Sequence, residues 1–291
     1  MSRILAVGIA TLDIINTVDH YPHEDEKLRA LSQHIRRGGN AANTACVLTQ
    51  FGHEVNLLCT LAQDASAEQV KKNLAQHGVS LEQIVEIATA TTPTSYIILN
   101  QQNGSRTVVH HRDLPELEAK HFASIQVERF DWFHFEGRNL SETEKILSGL
   151  KRNIIDQSIS IEIEKARDGI ERLFPFADVL FFSRHYAVKQ GYHSADDFLH
   201  ALHASTGSAI LVCSWGEHGA YACDQHGNLF HSPAFVPVEV VDTIGAGDTF
   251  NAGFISALLD GQSVESALIS ACKLAGRKVG QIGFARLNIN Q

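Results

Sequence analysis

Residues 240–261 read VVDTIGAGDTFNAGFISALLDG. Strand-like residues 236–241 run into the loop Gly245-Ala246-Gly247, after which Phe250, Phe254, Ala257 and Leu258 recur at a 3.6-residue period until Gly261 stops the pattern. The order is strand, glycine loop, helix N-terminus. Unpaired backbone N–H groups and the positive end of the helix dipole gather at such a junction, and glycines let an anion come close. A phosphate fits there.

Outward from this segment, short apolar runs alternate with helical patterns. Residues 4–7, 55–58, 132–135, 158–163, 179–182 and 210–213 read as strands, several apolar on both faces, and residues 4–15 read as one buried strand. Residues 41–51, 67–77, 142–150, 195–203 and 264–279 read as helices. Strands buried on both faces and separated by helices predict an α/β, doubly wound, mainly parallel sheet with helices on both sides. Two segments break the rhythm. Residues 16–37 are polar where a crossover helix belongs, and residues 95–112 read as a hairpin turning at Asn103-Gly104. One domain over 1–291 is expected, with a small β appendage formed by about residues 14–37 and 95–112. The appendage either covers a cleft or extends the sheet edge.

Composition narrows the function. The chain has 291 residues, 44% of them hydrophobic, and 24 Lys+Arg against 33 Asp+Glu give a net charge of −9. That charge argues against nucleic acid and against an anionic membrane surface as partners. Five widely spaced cysteines without a C-x-x-C pair suggest reduced thiols in a cytoplasmic protein rather than disulfides or a zinc ribbon. Sixteen histidines invite a metal, yet His200 and His203 share a helix face without a third ligand, and His110 and His111 point oppositely along a strand.

Asp248 follows the glycine loop directly. It reads either as a helix cap, a position Asp favours, or as a general base that takes the proton of an alcohol attacking a phosphoryl group. The P-loop pattern G-x-x-x-x-G-K-[ST] is absent, and Phe250 stands where G-x-G-x-x-G needs its third glycine. A second segment, RGGNAANTACVLTQFG at 37–52, sets Asn40 and Asn43 on one face of a helix start behind Gly38-Gly39. Their amides suit a polyol, and Asn40 is equally explained as a cap.

GGN-x-x-N at 38–43 and D-T-x-G-A-G-D-T-F at 242–250 together resemble the ribokinase-type (PfkB) carbohydrate kinases. The stretches YPHEDEKLRALSQ, NGSRTVV, HFEGRN, IEIEKAR and ILVCSWGEHGA follow the ketohexokinase branch of that family almost in register. The resemblance implies a ribokinase-like fold, ATP as phosphoryl donor with Mg2+, and transfer to the 1-hydroxyl of fructose. It makes Asp248 the base and the amides of Gly245, Ala246 and Gly247 the anion hole. It carries sugar contacts onto Asp13, Asp25, Gly39, Asn40, Asn43 and Arg138, and nucleotide contacts onto Arg106, Ser214, Gly216, Gly219, Phe235 and Cys272. Asp13 also reads as a strand-end carboxylate, Asp25 as a surface charge and Arg106 as a solvated arginine. Small residues Ala271, Ala275 and Gly276 leave room for a ring or serve close helix packing.

Ser183-Arg184-His185-Tyr186 replaces the N-x-x-E of many relatives, so no direct metal ligand is named. Glu162 and Glu164 are outer-sphere candidates, with a surface pair as the alternative. The resemblance extends to K+ near the glycine loop and to a homodimer paired through the β lid. Another sugar or hydroxyl position, or a non-catalytic sugar sensor, stays open, and the intact Asp248 and glycines speak against the sensor.

Overall fold

The computed structural model describes residues 1–206 and 208–287. In chain order the elements are β1 (Arg3–Val7), β2 (Thr11–Val18), β3 (Ser32–Gly38), α1 (Asn40–Leu48), β4 (Glu54–Leu58), β5 (Thr60–Ala62), α2 (Ala65–Gln76), β6 (Val85–Ile87), β7 (Thr94–Asn100) and β8 (Arg106–His111). They continue with α3 (Ala119–Phe122), β9 (Trp132–Glu136), α4 (Leu140–Lys151), β10 (Ser158–Ile163), β11 (Val179–Ser183), α5 (Arg184–Lys189), α6 (Ala195–Thr206), β12 (Ile210–Ser214), β13 (Ala220–Cys223), β14 (Leu229–Ser232), α7 (Ala246–Leu259) and α8 (Val264–Val279).

Alternation within single strands builds the layers. In β1, Ile4 and Ala6 enter the core shared with α1, α7 and α8, whereas Leu5 and Val7 enter the opposite core with Phe133, Phe135 and Leu147. A strand whose successive side chains are apolar in both directions must be covered on both faces. The main sheet has the order β14-β13-β12-β11-β10-β9-β1-β4. Its strands run parallel from β4 to β12, and β13 and β14 are antiparallel at one edge. The predicted doubly wound class is what the chain adopts.

The segments that broke the rhythm form a separate four-stranded sheet, β3-β2-β7-β8. The hairpin expected at 95–112 is β7 and β8, antiparallel from Thr94↔His111 to Leu99↔Arg106. The single strand expected over residues 4–15 divides: β1 stays in the main sheet, and β2 pairs with β3 and β7. Gly8 marks the break, because a Cβ there would run into the Glu136 carboxylate and Ala41.

A second expectation fails at residues 236–241. No strand forms there, and Val236 and Val238 stand in solvent. Pro233 and Pro237 bring no N–H to a ladder, and the amides of Val241 and Asp242 instead donate to the Val279 carbonyl, at 2.8 and 3.1 Å. The segment therefore hangs from the end of α8.

α7 is buried almost all round, including Phe250, Phe254 and Ile255. Gly253 lets α8 approach, since a Cβ there would press on Ala271 and Leu274. α7 is thus fixed from both sides, which fixes its N-terminus. Among the described residues no helix is long and apolar enough to cross a membrane.

Candidate active site

The carboxyl ends of β1, β9, β10, β11 and β12 open onto a cavity of about 460 Å³. β1 lies between β4 and β9, the point where strand order reverses direction, and ligands of open α/β sheets bind at such points. The inner face of the small sheet forms the facing wall through Asp13, Ile97, Arg106 and His110. Thr243, Gly245, Gly247 and Asp248 close the third side.

Asp248 stands in the first turn of α7, and the cap position belongs to Gly245, whose φ of 81° needs a residue without Cβ. The helix-cap reading of Asp248 therefore does not hold. Its Oδ2 accepts from Asn43 Nδ2 at 2.6 Å, and only 5% of the residue is exposed. Burial pushes its pKa up to about 7, assisted by the charges of Glu164 and Glu136, while the Asn43 hydrogen bond and Arg37 pull it down. A carboxylate held there changes protonation near neutrality, as an acid–base group must. Of the loop amides, that of Ala246 is drawn back to the Thr243 carbonyl at 3.3 Å, and Ala246 does not line the cavity. Gly245 and Gly247 do.

Asn43 also accepts from Arg37 Nη1, so its amide is oriented from both ends. Gly39, with φ 96°, occupies the cap of α1, so Asn40 is not the cap. Asn40 Nδ2 instead reaches Glu162 and Glu164, each at 3.2 Å. The surface-pair alternative fails for Glu162, whereas Glu164 is exposed. Glu162 is buried, bonded also by Asn251 Nδ2 at 3.2 Å. Its carboxyl is pushed well above the usual range by burial and by the charges of Asp248, Glu136 and Glu164.

Asp13 is buried and accepts from Thr11 Oγ1 at 3.0 Å. Burial raises its pKa against the opposing pull of Ser95, Thr11, Arg36 and Arg37. Gly38 leaves it room, since any Cβ there would collide with the Asp13 carboxylate. Arg138 lies in the cavity wall, its Nε donating to Glu116 at 2.9 Å and its Nη1 lying 3.7 Å from Glu136. Arg106 projects from β8 to the loop on the opposite side, where Nη1 donates to Thr243 Oγ1 at 3.2 Å.

Other sequence candidates lie elsewhere. Asp25 is exposed in the connection between β2 and β3, outside the cavity wall, with φ 61° in a turn. Asp25 is therefore not among the residues that meet at the cavity. Ser214 lines the cavity, whereas Gly216, Gly219, Phe235 and Cys272 do not. Cys272 is buried against the Ser232 carbonyl. Gly219 admits that same carbonyl, and Gly276 admits the carbonyl of Phe235. Close packing accounts for Gly276.

Sequence reading missed Glu136, Asn251 and Arg37. Glu136 is buried at the end of β9, its Oε2 accepting from the Ile9 amide at 2.5 Å, and burial raises its pKa. A charged residue closing the apolar run Trp132–Glu136 was the available signal. Nothing local marks Arg37, which gains its role from contacts across the fold.

The pfkB family carbohydrate kinase model matches residues 1–289. The chain is 41% identical to ketohexokinase of Mus musculus over 290 residues, covering 97% of each chain. It is 27% identical to ribokinase of Bacillus subtilis over 291 residues, covering 97% of this chain and 94% of the relative. A solved structure of Arabidopsis thaliana ribokinase complexed with ribose and ATP superposes with a TM-score of 0.80 at 20% identity, covering 97% of this chain and 94% of that one. With a fold of that kind and a family match along nearly its whole length, the chain belongs to the pfkB family of carbohydrate kinases.

Proposed function

We propose that this kinase passes the γ-phosphoryl group of ATP to the 1-hydroxyl of fructose, with Asp248 as general base. The observation that carries this is the Asp248 carboxylate. It is buried, oriented by Asn43, shifted to about 7 and placed between the asparagine wall and the glycine loop of one cavity. The likeness to mouse ketohexokinase favours a ketohexose as acceptor.

In this reading Asp248 takes the proton as the sugar oxygen forms its bond to the γ-phosphorus. The bond from that phosphorus to the β,γ-bridging oxygen breaks, and ADP leaves carrying the electron pair. Asp13, Asn40 and Asn43 hold the sugar hydroxyls, while the Gly245 and Gly247 amides with Arg106 face the phosphates. Arg138, tied to Glu116 and Glu136, borders the sugar side. The small sheet closes over both ligands, keeping out water that would otherwise hydrolyse ATP.

Mg2+ suits the donor set. Burial and the negative charges of this group, that of Glu164 among them, raise the pKa values of Glu136, Glu162 and Asp248, a repulsion that a hard dication relieves. Among the described residues no three acidic, histidine or cysteine side chains enclose a metal by themselves, so Glu162 and Glu164 would hold it through water and phosphate oxygens. When bound, the ion neutralises charge on the transferring phosphoryl group. Beside the loop Asp242 is no free ligand for K+, being already bonded by Arg36, Lys278 and the Ile244 and Gly283 amides. Asp242 does not fit as a K+ ligand.

The outer face of the small sheet exposes Ile35, Tyr96 and Val109, which supports a homodimer paired through these strands. Five free, buried cysteines support a reducing, cytoplasmic setting. ADP release across a panel of ketoses, aldoses and sugar phosphates, with the phosphorylated carbon located by NMR, tests the assignment. Fructose 1-phosphate from fructose is the expected product. A different preferred sugar or carbon replaces the acceptor, and tight sugar binding without turnover makes the protein a sensor.

A further inference from the structure

Lys278, in the last turn of α8, has no solvent exposure at all. Its Nζ donates to the Asp242 carbonyl at 2.9 Å and lies 3.0 Å from Asp242 Oδ2. Arg36, on β3 of the small sheet, meets the same carboxylate from the other side, Nη1 to Oδ2 at 2.7 Å and Nη2 to Oδ1 at 3.3 Å. Asp242 passes this constraint to the backbone. Its Oδ1 accepts from the Ile244 amide at 3.0 Å, and its Oδ2 from the Gly283 amide at 3.2 Å. Burial opposes ionisation here, yet Arg36 and Lys278 hold the carboxyl down at about 2.

The Phe284 ring continues the arrangement. Lys278 Nζ lies 5.4 Å from its centroid, and the same ring packs on Gly245, where a Cβ would strike it. Arg37, the residue after Arg36, lies over that ring at 5.4 Å and reaches Asn43. An apolar side chain of similar volume would fill the Lys278 site without the cost of desolvating a charge. What the charge supplies is a fixed Asp242, three residues ahead of Gly245.

We propose that Lys278 is a positioning residue for phosphoryl transfer. With Arg36 it clamps Asp242, so that the loop after it keeps the Gly245 and Gly247 amides toward the nucleotide phosphates. This rests on the phosphate reading of that loop. It also ties the small sheet to the loop, because one arm of the clamp comes from β3.

The test uses the full chain and its Lys278→Met and Lys278→Ala variants. Calorimetry measures binding of a non-hydrolysable ATP analogue and of adenosine, which lacks phosphates. Turnover is then followed in methylammonium and choline chloride. The expected result is a loss on the order of tenfold in affinity for the analogue with adenosine binding within about twofold of the parent. Methylammonium should restore part of kcat to Lys278→Ala, choline should not, and the parent should not gain. Equal weakening of both ligands, no weakening, or equal action of the two salts overturns the proposal. Should the Lys278 variants fail to fold, Arg36→Gln removes the other arm from a partly exposed position. The same selective loss is then expected, and an unchanged ratio of the two affinities overturns the clamp. A parent that binds the analogue no better than adenosine defeats the phosphate reading itself, whereas a discriminating parent matched by its variants defeats the clamp alone.

Discussion

Asn43 Nδ2 donates to Asp248 Oδ2 across 2.6 Å, joining α1 to the first turn of α7 between residues 205 positions apart. The bond aims the carboxylate and favours its ionised form. Removing the proton acceptor while keeping the shape isolates its chemistry. Asp248→Asn should lower kcat by about 10²-fold or more, with ATP-analogue affinity little changed, as read by ADP release and calorimetry. Turnover within a few-fold of the parent would strip Asp248 of the base role.

The pH profile follows from the same carboxyl. Its pKa is raised to about 7 in the folded chain, so kcat/KM should climb with pH through about 7 as the base loses its proton. Asn43→Ala removes a bond to the ionised form and should move this limb to higher pH. Glu164→Gln removes a neighbouring negative charge and should move it lower. The stability contribution has the opposite sense. Between the ordinary carboxylate range and pH 7 the native state keeps a proton that the unfolded chain has released, so this group makes stability fall as pH rises. Urea titrations of the parent and Asp248→Asn across that window measure the difference, and identical slopes in the two proteins would contradict it.

Gly38→Ala should act on the sugar alone. The new Cβ meets the Asp13 carboxylate, a wall group on the acceptor side, so KM for the sugar should rise about tenfold while KM for ATP stays within about twofold. Initial-rate measurements with each substrate varied in turn separate the two constants. A shift in the ATP constant instead would place Asp13 on the wrong ligand.

Arg106→Ala removes an exposed side chain that donates to Thr243 Oγ1. The fold should keep its melting temperature within about 1 °C, since surface changes of this kind fall within about ±0.5 kcal/mol. KM for ATP should rise several-fold. Unchanged ATP kinetics would return Arg106 to an ordinary solvated residue.

Phe254→Ala tests the support beneath the site. Phe254 is fully buried, with its ring 5.5 Å from that of Phe181, and its loss should cost about 3–5 kcal/mol. Chemical denaturation measures this. A loss under about 1 kcal/mol would mean that the packing between α7 and β11 is not what holds the loop in place.

Much of the site was legible because its residues follow the chain. Gly245, Gly247 and Asp248 sit at a loop-to-helix junction, and Asn40 and Asn43 lie one helical turn apart on α1. The hairpin of the small sheet declared itself around the Asn103-Gly104 turn signal, and β7 and β8 form there. Residues 236–241 misled the reading because alternating valines look the same whether or not a neighbouring strand awaits them. Asp25 and Phe235 were expected at the site from the family resemblance, yet in this chain neither lines the cavity.

Period and punctuation, being local, were enough to determine the layered α/β class, the glycine loop at a helix N-terminus and the carboxylate beside it. Burial is a property of the whole fold, and only the tertiary structure decided what depended on it. Glu136 became a member of the acidic wall because β9 ends at the point where strand order reverses. Lys278, Arg36 and Asp242, far apart in the chain, became one cluster because α8, β3 and the loop meet there. Charge and hydrogen bonding shift a proton equilibrium only after water has been removed, and it is packing between distant segments that removes it.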